Sequence, residues 1–143
     1  MAIASGFYVA SERDMMKNVI AVDYSSLLNK IALYVSALTP NFNADPSSYS
    51  TTNEASGTGY TAGGLVIANP VFTISSGNLN YDLDDLSWPG STITAGGCTM
   101  YANALAPKAN LWTLSFGGDF NTVAGTYTIQ WNPSGVWSRD LVP

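Results

Sequence analysis

Short stretches of alternating apolar and polar residues dominate the second half of the chain. Val71–Ser75, Leu79–Leu83, Leu111–Phe116 and Thr126–Trp131 place apolar side chains at every second position, the spacing of a half-buried β-strand. Gly, Asn, Ser and Pro residues separate the strands at intervals of about 8–12 residues, a spacing typical of a sandwich or barrel. We therefore predict an all-β protein, an antiparallel β-sandwich of jelly-roll or Greek-key type.

Other strand candidates are shorter or less regular. Leu28–Val35 alternates in part, with Ile31, Leu33 and Val35 on one face and Lys30, Ala32 and Tyr34 on the other. Ser76-Gly77 is predicted as a tight turn, Asp84–Gly90 as a turn that ends in Trp-Pro-Gly, and Ser138–Pro143 as a short tail. Further short strands are expected at Leu65–Ala68, Thr92–Thr94 and Thr99–Ala104. Phe72 and Ile74 are predicted to point into the core. The residues expected to share one face of the other strands are Leu79, Tyr81 and Leu83; Trp112, Leu114 and Phe116; and Tyr127, Ile129 and Trp131.

The first sixty residues have a different character. Ser11, followed by Asp14 three residues later, is typical of a capping box, so one short helix is predicted over Glu12–Ile20. Alternatively, residues 1–10 form an arm that reaches a neighbouring subunit. Residues 38–61 are rich in Ser, Thr, Asn and Pro and have no periodicity, so we predict a long surface loop that lies on another subunit. One domain, residues 1–143, is expected.

The composition narrows the possible partners. Only 10% of the 143 residues are charged, the net charge is −5, and the five Lys and Arg residues form no run. Nucleic acid is therefore not an expected partner, because affinity for phosphate backbones depends on clustered cations. No apolar stretch approaches the roughly 18 residues of a membrane span, so no membrane partner is expected and the protein is predicted to be made in a cytoplasm.

Catalysis and cofactor binding are not expected either. The chain has no His and a single Cys, so a Ser-His triad and a cysteine-rich metal centre are not available. Asp82, Asp84 and Asp85 form the only acidic cluster and are a weak candidate for Ca²⁺. Their spacing fits no known calcium loop, and the competing interpretation is a solvated turn. Cys98 is expected to be a small buried residue, and no enzyme activity is predicted.

The glycine-rich segment Asn53–Gly64 is the most distinctive part of the chain. No Lys-Ser or Lys-Thr follows it and no helix is expected next, so it is not a phosphate-binding loop. Its glycines are expected at positions with positive φ or close chain approach. The nine Tyr and Trp residues that could instead form a carbohydrate platform are Tyr8, Tyr24, Tyr34, Tyr49, Tyr60, Trp88, Trp112, Trp131 and Trp137.

Four segments together carry a family resemblance: Lys30–Asn41, Thr52–Gly64, Trp88–Ala95 and Gly125–Trp131. They resemble strands and a TNE-SGTGYT-GG motif of small structural proteins of tailed bacteriophages, over roughly residues 14–137. The resemblance implies a head decoration, or cement, protein of the virion: an all-β homotrimer that binds the major capsid protein on the capsid surface. The N-terminal segment is particular to this chain, and its loops carry fewer charges than is common in such proteins.

The expected function is to stabilise the head by binding across major capsid protein subunits. Three alternatives stay open: a head-fibre or tail component that binds host-surface carbohydrate, a tail-tube or neck component, and a minor enzyme such as a wall hydrolase. The partner contacts are expected in the N-terminal arm and the long loop, because aromatic residues outside the strands are typical of interfaces. The predicted contact residues are Phe7, Tyr8, Phe42, Tyr49, Glu54 and Tyr60.

Overall fold

The computed structural model describes residues 3–142, so the parts of the arm and tail predictions that concern Met1, Ala2 and Pro143 lie outside the described residues. Residues 3–142 form one short helix and ten strands. In chain order these are β1 (Gly6–Phe7), α1 (Val9–Met16), β2 (Lys30–Tyr34), β3 (Leu65–Val66), β4 (Val71–Ser75), β5 (Asn78–Asp82), β6 (Leu86–Ser91), β7 (Thr94–Tyr101), β8 (Asn110–Asn121), β9 (Gly125–Ile129) and β10 (Trp137–Asp140).

The strands form three sheets in which every pairing is antiparallel. A five-stranded sheet has the order β1-β8-β7-β2-β3, a three-stranded sheet the order β10-β5-β4, and a two-stranded sheet pairs β6 with β9. The prediction of a mostly β, antiparallel protein with one short N-terminal helix is confirmed. α1 has 8 residues, and no helix in residues 3–142 is long and apolar enough to cross a membrane.

The main core lies on one face of the five-stranded sheet. Ile31, Met100 and Trp112 are directly paired across β2, β7 and β8, and the pairs with Leu65 and Phe7 continue this apolar row to both edges. Buried side chains from the two smaller sheets complete the same cluster, so one core joins all three sheets. This burial is the main favourable term in folding.

The opposite face of the five-stranded sheet is covered by the long loop. Ala32, Tyr34 and Tyr101 form a second buried cluster with Ile3, and Tyr49 of the loop stacks on Tyr101 with ring centroids 4.4 Å apart. Within residues 38–61 there is no helix or strand, only isolated bridges at two positions. The loop therefore packs on its own sheet. The alternation predicted for β2 is confirmed, and the structure shows that both of its faces are buried.

The helix starts and ends earlier than predicted. It begins at Val9, and the Ser11 hydroxyl, expected as the N-cap, lies inside the helix and donates a buried hydrogen bond to the Asn110 carbonyl at 2.6 Å. At the other end Asn18 adopts a φ of 55°, and Val19 N–H donates back to the Asp14 carbonyl. That arrangement is a Schellman motif, which closes a helix. The capping-box prediction is wrong because a tertiary contact recruits the serine.

Three strand predictions also need correction. Asp84–Gly90, predicted as a turn, is mostly β6, which accommodates its Pro-Gly pair at a register shift next to β9. The short strands predicted at 92–94 and 99–104 are replaced by one strand, β7, which contains Thr94 of the first and residues 99–101 of the second. The predicted tail contains β10, which pairs with β5. In each case a partner strand distant in sequence supplies the pairing that local composition did not indicate.

Ile74 was predicted to point into the core, but its side chain is 84% exposed. β4 is the outer strand of the three-stranded sheet, and all five of its residues are exposed. Phe72, the other residue predicted inward, packs on Tyr24 and Tyr81 and is nevertheless 42% exposed. The alternation of β4 was interpreted correctly as a strand, but its apolar face extends beyond the core.

Candidate functional site

The glycine-rich segment is organised around one carboxylate. Glu54 Oε1 accepts hydrogen bonds from the Tyr60 hydroxyl at 2.7 Å and from the Gly63 N–H at 2.6 Å, and its Oε2 accepts one from the Tyr49 hydroxyl at 2.6 Å. We call these four residues the Glu54 cluster. Hydrogen bonds to an ionised acceptor are shorter and stronger than neutral ones. Three of the predicted contact residues, Tyr49, Glu54 and Tyr60, are therefore brought together by contacts within the protein.

The Glu54 cluster and its neighbour Ala55 also satisfy backbone hydrogen-bonding groups of β2. The Tyr60 hydroxyl, which donates to Glu54, accepts the Leu33 N–H at 3.0 Å, and the Leu33 carbonyl accepts the Ala55 N–H at 2.8 Å. Burial raises the pKa of Tyr60, and the hydrogen bond to the Glu54 carboxylate raises it further. Tyr60 therefore stays a neutral phenol, able to donate and accept at the same time.

Glycines in this segment occupy positions that other residues would not tolerate. Gly64 has a φ of 71°, and a Cβ there would overlap the carbonyl oxygen of Ile31. Gly57 has a φ of 132°, and a Cβ there would overlap the Thr92 carbonyl. The prediction that these glycines serve positive φ and close chain approach is confirmed. The segment therefore packs closely against β2 and against Thr92, which lies between β6 and β7.

Of the other three predicted contact residues, Tyr8 and Phe42 lie together near β1 on the face covered by the long loop, whereas Phe7 lies on the face of the main core and packs on Trp137. Phe42 packs on Tyr8 with ring centroids 5.1 Å apart and lies directly over Gly6. Tyr8 is 4% exposed and its hydroxyl contacts Thr113 at 3.0 Å, whereas Phe7 and Phe42 are half-buried. Gly6–Phe7 is paired with β8, so the described part of the proposed arm lies on the chain's own sheet.

The acidic cluster does not converge. Asp82 accepts the N–H of its neighbour Leu83, Asp84 accepts from the Asn69 side chain, and Asp85 accepts the Trp131 N–H. Within residues 3–142, no group of three or more His, Cys, Asp or Glu side chains is arranged to hold a metal. The three aspartates are therefore not arranged as ligands of one Ca²⁺ ion, and two of them accept hydrogen bonds from backbone amides.

Cys98 is fully buried in β7, opposite Leu33 and Leu114 on the neighbouring strands. Burial raises the pKa of its thiol well above the ordinary value. Because the thiolate is the reactive form, this residue has neither the ionisation nor the access that a nucleophile needs. The prediction that Cys98 is a small buried residue is confirmed.

A groove of about 310 Å³ opens beside the three-stranded sheet. Phe72, Tyr81 and Trp137 are directly paired across β4, β5 and β10, with centroid separations of 4.9 and 5.2 Å between successive rings. Tyr24 packs edge-on against all three rings. We call the cleft lined by Tyr24, Phe72 and Trp137 the aromatic groove.

An ion pair forms the polar side of the aromatic groove. Arg139 donates to Glu12 Oε2 at 2.8 Å, and the Tyr24 hydroxyl donates to Glu12 Oε1 at 2.6 Å. Burial acts to raise the pKa of Glu12, but the hydrogen bonds from Arg139 and Tyr24 outweigh it and hold this pKa below its ordinary value. The Arg139 guanidinium also lies 3.8 Å from the centroid of Phe7. Glu12 therefore stays ionised in the folded protein down to acidic pH.

Sequence reasoning missed the aromatic groove as a unit. Glu12 and Arg139 are 127 positions apart, so no local pattern links them. Trp137 and Tyr24 were recognised only as members of a general aromatic set. The useful signal would have been the matched register of three aromatic residues on three strands, which requires the pairing of β5 with β10.

A second concave surface lies between the last residues of β8 and strand β9. It encloses about 390 Å³, and none of its lining residues is Asp, Glu, Lys or Arg. Phe120 is exposed there, beside the outward-facing Thr126, Thr128 and Gln130 of β9 and the residue after it. We call the surface formed by Phe116, Phe120, Asn121, Thr126, Thr128 and Gln130 the β9 face. It presents uncharged polar groups around an exposed aromatic ring, a composition typical of a protein interface.

Comparison with known proteins adds no assignment to this geometry: no family model, curated protein or solved structure matches the chain.

Proposed function

We propose that this protein is a virion structural protein of the head-decoration type, which binds across subunits of the major capsid protein on the capsid surface. The observation that carries the proposal is the β9 face, a concave surface that is lined by no charged residue and on which Phe120 is exposed. A partner that covers it removes apolar area from water without burying an ion, so no large desolvation cost opposes binding. The resemblance of the Asn53–Gly64 segment to phage structural proteins supports the same class.

The mechanism is the burial of surface across several subunits at once, with no bond made or broken. A standard specific interface buries about 1,200–2,000 Å². Contacts with two or three capsid subunits, each of which buries less area than a standard interface, strengthen binding together through multivalency. Binding only to the assembled, expanded lattice stabilises that lattice by mass action.

Binding to heads tests the proposal. Expanded empty heads of the major capsid protein encoded with this chain are incubated with purified protein, and bound copies are counted after sedimentation. We expect hundreds of copies per head, and at least roughly tenfold weaker binding for Phe120→Ser and Thr128→Lys on the β9 face. Ser138→Lys, an exposed substitution on β10, is the matched control and should bind normally. Absence from purified virions, or a handful of copies at the tail, would refute decoration.

The finer fold assignment belongs to the same proposal. We propose a β-sandwich of jelly-roll or Greek-key type, in which the two smaller sheets face the five-stranded sheet across the main core. Strands distant in sequence are neighbours at β1-β8, β2-β7, β6-β9 and β5-β10, as long-range connections in such folds require. An experimental structure with the sheets side by side rather than face to face would contradict this assignment.

A second candidate function rests on the aromatic groove. Phe72 is exposed and Trp137 is partly exposed beside the Arg139–Glu12 pair, and a sugar ring stacks on aromatic faces while its hydroxyls bond to charged groups. A head-fibre or tail component that binds host-surface carbohydrate would use this groove. Glycan-array binding that Phe72→Ala abolishes and Phe120→Ser does not would favour this function, and an array without signal would count against it.

A further inference from the structure

One edge of the three-stranded sheet is open. β4 pairs with β5 on one side only, through a two-residue turn at Ser76 and Gly77 with φ values of 48° and 80°. Positive φ at both positions identifies a type I′ turn, whose flanking residues form a hydrogen-bonded pair. Counting back from Ser75, hydrogen-bonded and non-hydrogen-bonded pairs alternate along the hairpin. The peptide groups of Phe72 and Ile74 therefore point away from β5, towards the open edge.

The opposite strand confirms this direction. Tyr81 is paired with Phe72, yet its carbonyl accepts the Val136 N–H at 2.8 Å on the far side of β5, so its backbone faces β10. The pair of Phe72 and Tyr81 is thus a non-hydrogen-bonded pair. In residues 3–142, no group bonds to the N–H or carbonyl of Phe72 or Ile74.

This open edge lacks the usual protection against pairing. Natural edge strands carry Lys, an inward-pointing charge, or a bulge that prevents another strand from adding. Val71–Ser75 contains no charged residue and no bulge, and its Val, Phe and Ile side chains are exposed. Pro70 has no N–H and limits the edge at its start. The unpaired groups are backbone donors and acceptors at strand spacing, so the chemistry that satisfies them is another extended strand.

We propose that β4 pairs antiparallel with β4 of a second copy of this chain, about a two-fold axis through Thr73. In this register Phe72 of each copy is the hydrogen-bonded partner of Ile74 of the other, which satisfies all four outward-facing groups of both copies. Moving the axis to Phe72 places Pro70, without a donor, opposite Ile74. Moving it to Ile74 places Ser76, a turn residue with positive φ, opposite Phe72. Only the Thr73-centred register uses the complete edge.

The side chains match the same register. Phe72 and Ile74 lie on one face of β4, so Phe72 of one copy is beside Ile74 of the other, and two exposed apolar side chains cover each other. The aromatic row of Trp137, Tyr81 and Phe72 then continues into the second copy. No like charges face each other, because β4 has none. A two-fold contact uses the same edge on both copies and closes, so it produces a dimer rather than a fibre.

This pairing goes beyond the proposed function, since it needs no capsid protein. A contact of one strand pair is smaller than the ~1,200 Å² of a standard interface, so the dimer is expected to dissociate on dilution. It is also a different contact from the β9 face, which contains no residue of β4. A covalent trap is therefore the sharpest test.

Thr73→Cys provides that trap. Residues on the axis form a non-hydrogen-bonded pair with Cα atoms about 4.5 Å apart, within the range a disulfide spans. With the protein at about 100 µM, oxidised glutathione takes two electrons from two thiols, which form one disulfide, and becomes two reduced glutathione molecules. Ser75→Cys is the matched control, because the register places it opposite Val71 and several residues from its own copy. Cys98 is buried and does not compete.

We expect a disulfide-linked dimer from Thr73→Cys on non-reducing gels and at least roughly tenfold less from Ser75→Cys. Equal cross-linking of the two variants, or none from Thr73→Cys, would overturn the proposal. In sedimentation velocity, Thr73→Lys places two ammonium groups opposite each other and should raise the dimer dissociation constant about tenfold. Ser75→Lys, with the same charge on the same face, should change it little.

The same variants separate this inference from the proposed function. If the wild-type chain is monomeric and Thr73→Lys abolishes binding to heads, β4 binds the capsid protein, and the self-pairing is wrong while decoration stands. If the chain dimerises through Thr73 but does not bind heads, decoration is wrong and the self-pairing stands.

Discussion

Replacing Glu54 with Ala should destabilise the protein more than any other single carboxylate replacement on its surface. The Glu54 side chain is half-buried and accepts three hydrogen bonds of 2.6–2.7 Å, from two phenols and one backbone N–H. Its removal leaves Tyr49, Tyr60 and the Gly63 N–H without their acceptor. The long loop is then held on the five-stranded sheet by its aromatic contacts and by backbone hydrogen bonds such as that from the Ala55 N–H to the Leu33 carbonyl.

The magnitude follows from the number of bonds. Hydrogen bonds to charged groups contribute about 1.5–3 kcal/mol each when buried, and partial access of water reduces this to roughly 1 kcal/mol each here. Glu54→Ala should therefore lower the free energy of unfolding by about 3 kcal/mol. For a chain of this length, that change lowers Tm by about 10 °C.

Thermal and urea unfolding of a small variant series measure the effect. Glu54→Gln keeps Oε1 as an acceptor for Tyr60 and Gly63 and should cost about 1 kcal/mol, as should Tyr49→Phe, which removes one bond. Asp140→Ala, at an exposed carboxylate on β10, is the control and should stay within about 0.5 kcal/mol. If Glu54→Ala unfolds within about 2 °C of the wild type, the Glu54 cluster does not hold the loop.

Three further predictions concern other parts of the fold. Because the pKa of Glu12 is lowered on folding, its contribution to stability is present above its ordinary pKa of 4.5 and is lost as the pH falls below that value. Between pH 5 and pH 3, urea unfolding should show a larger loss of unfolding free energy for the wild type than for Glu12→Gln. Equal losses would contradict the pairing of Glu12 with Arg139. Gly64→Ala should cost about 2–4 kcal/mol and Gly90→Ala, with a similar φ but open space around its Cα, only about 1 kcal/mol, measured by thermal unfolding. Cys98 should not react with a thiol reagent until the protein unfolds, and rapid modification of the folded protein would refute its burial.

The long loop was predicted only in part from the sequence. Its lack of periodicity correctly predicted the absence of regular elements over 38–61, yet the loop covers its own sheet, whereas a neighbouring subunit was expected beneath it. Tyr49 and Phe42 are aromatic residues outside strands, the signal used for interface contacts. The same signal arises when a loop buries aromatic rings on its own domain, and composition does not distinguish the two.

The surfaces that carry the proposals were not among the predicted contact residues. Thr128 was assigned to a predicted strand, Phe120 was assigned to no element, and β4 was expected to contribute its apolar face to the core. Whether an alternating strand lies inside a sheet or at its edge depends on which strands flank it. That neighbourhood is a property of the topology and leaves no mark on the alternation itself.

The sequence by itself determined the features that depend on nearby residues. Period-two alternation defined the faces of β2, β8 and β9, the Ser76-Gly77 pair predicted the hairpin, and the glycines of the Asn53–Gly64 segment predicted positive φ. Tertiary structure decided the rest: Ser11 left its capping role for Asn110, Glu54 gained two phenols, and Ile74 was left uncovered. The physical reason is the distance along the chain over which each effect acts. Backbone preferences and side-chain periodicity act over a few residues, whereas burial, hydrogen-bond partners and free sheet edges are set by strands far apart in the chain.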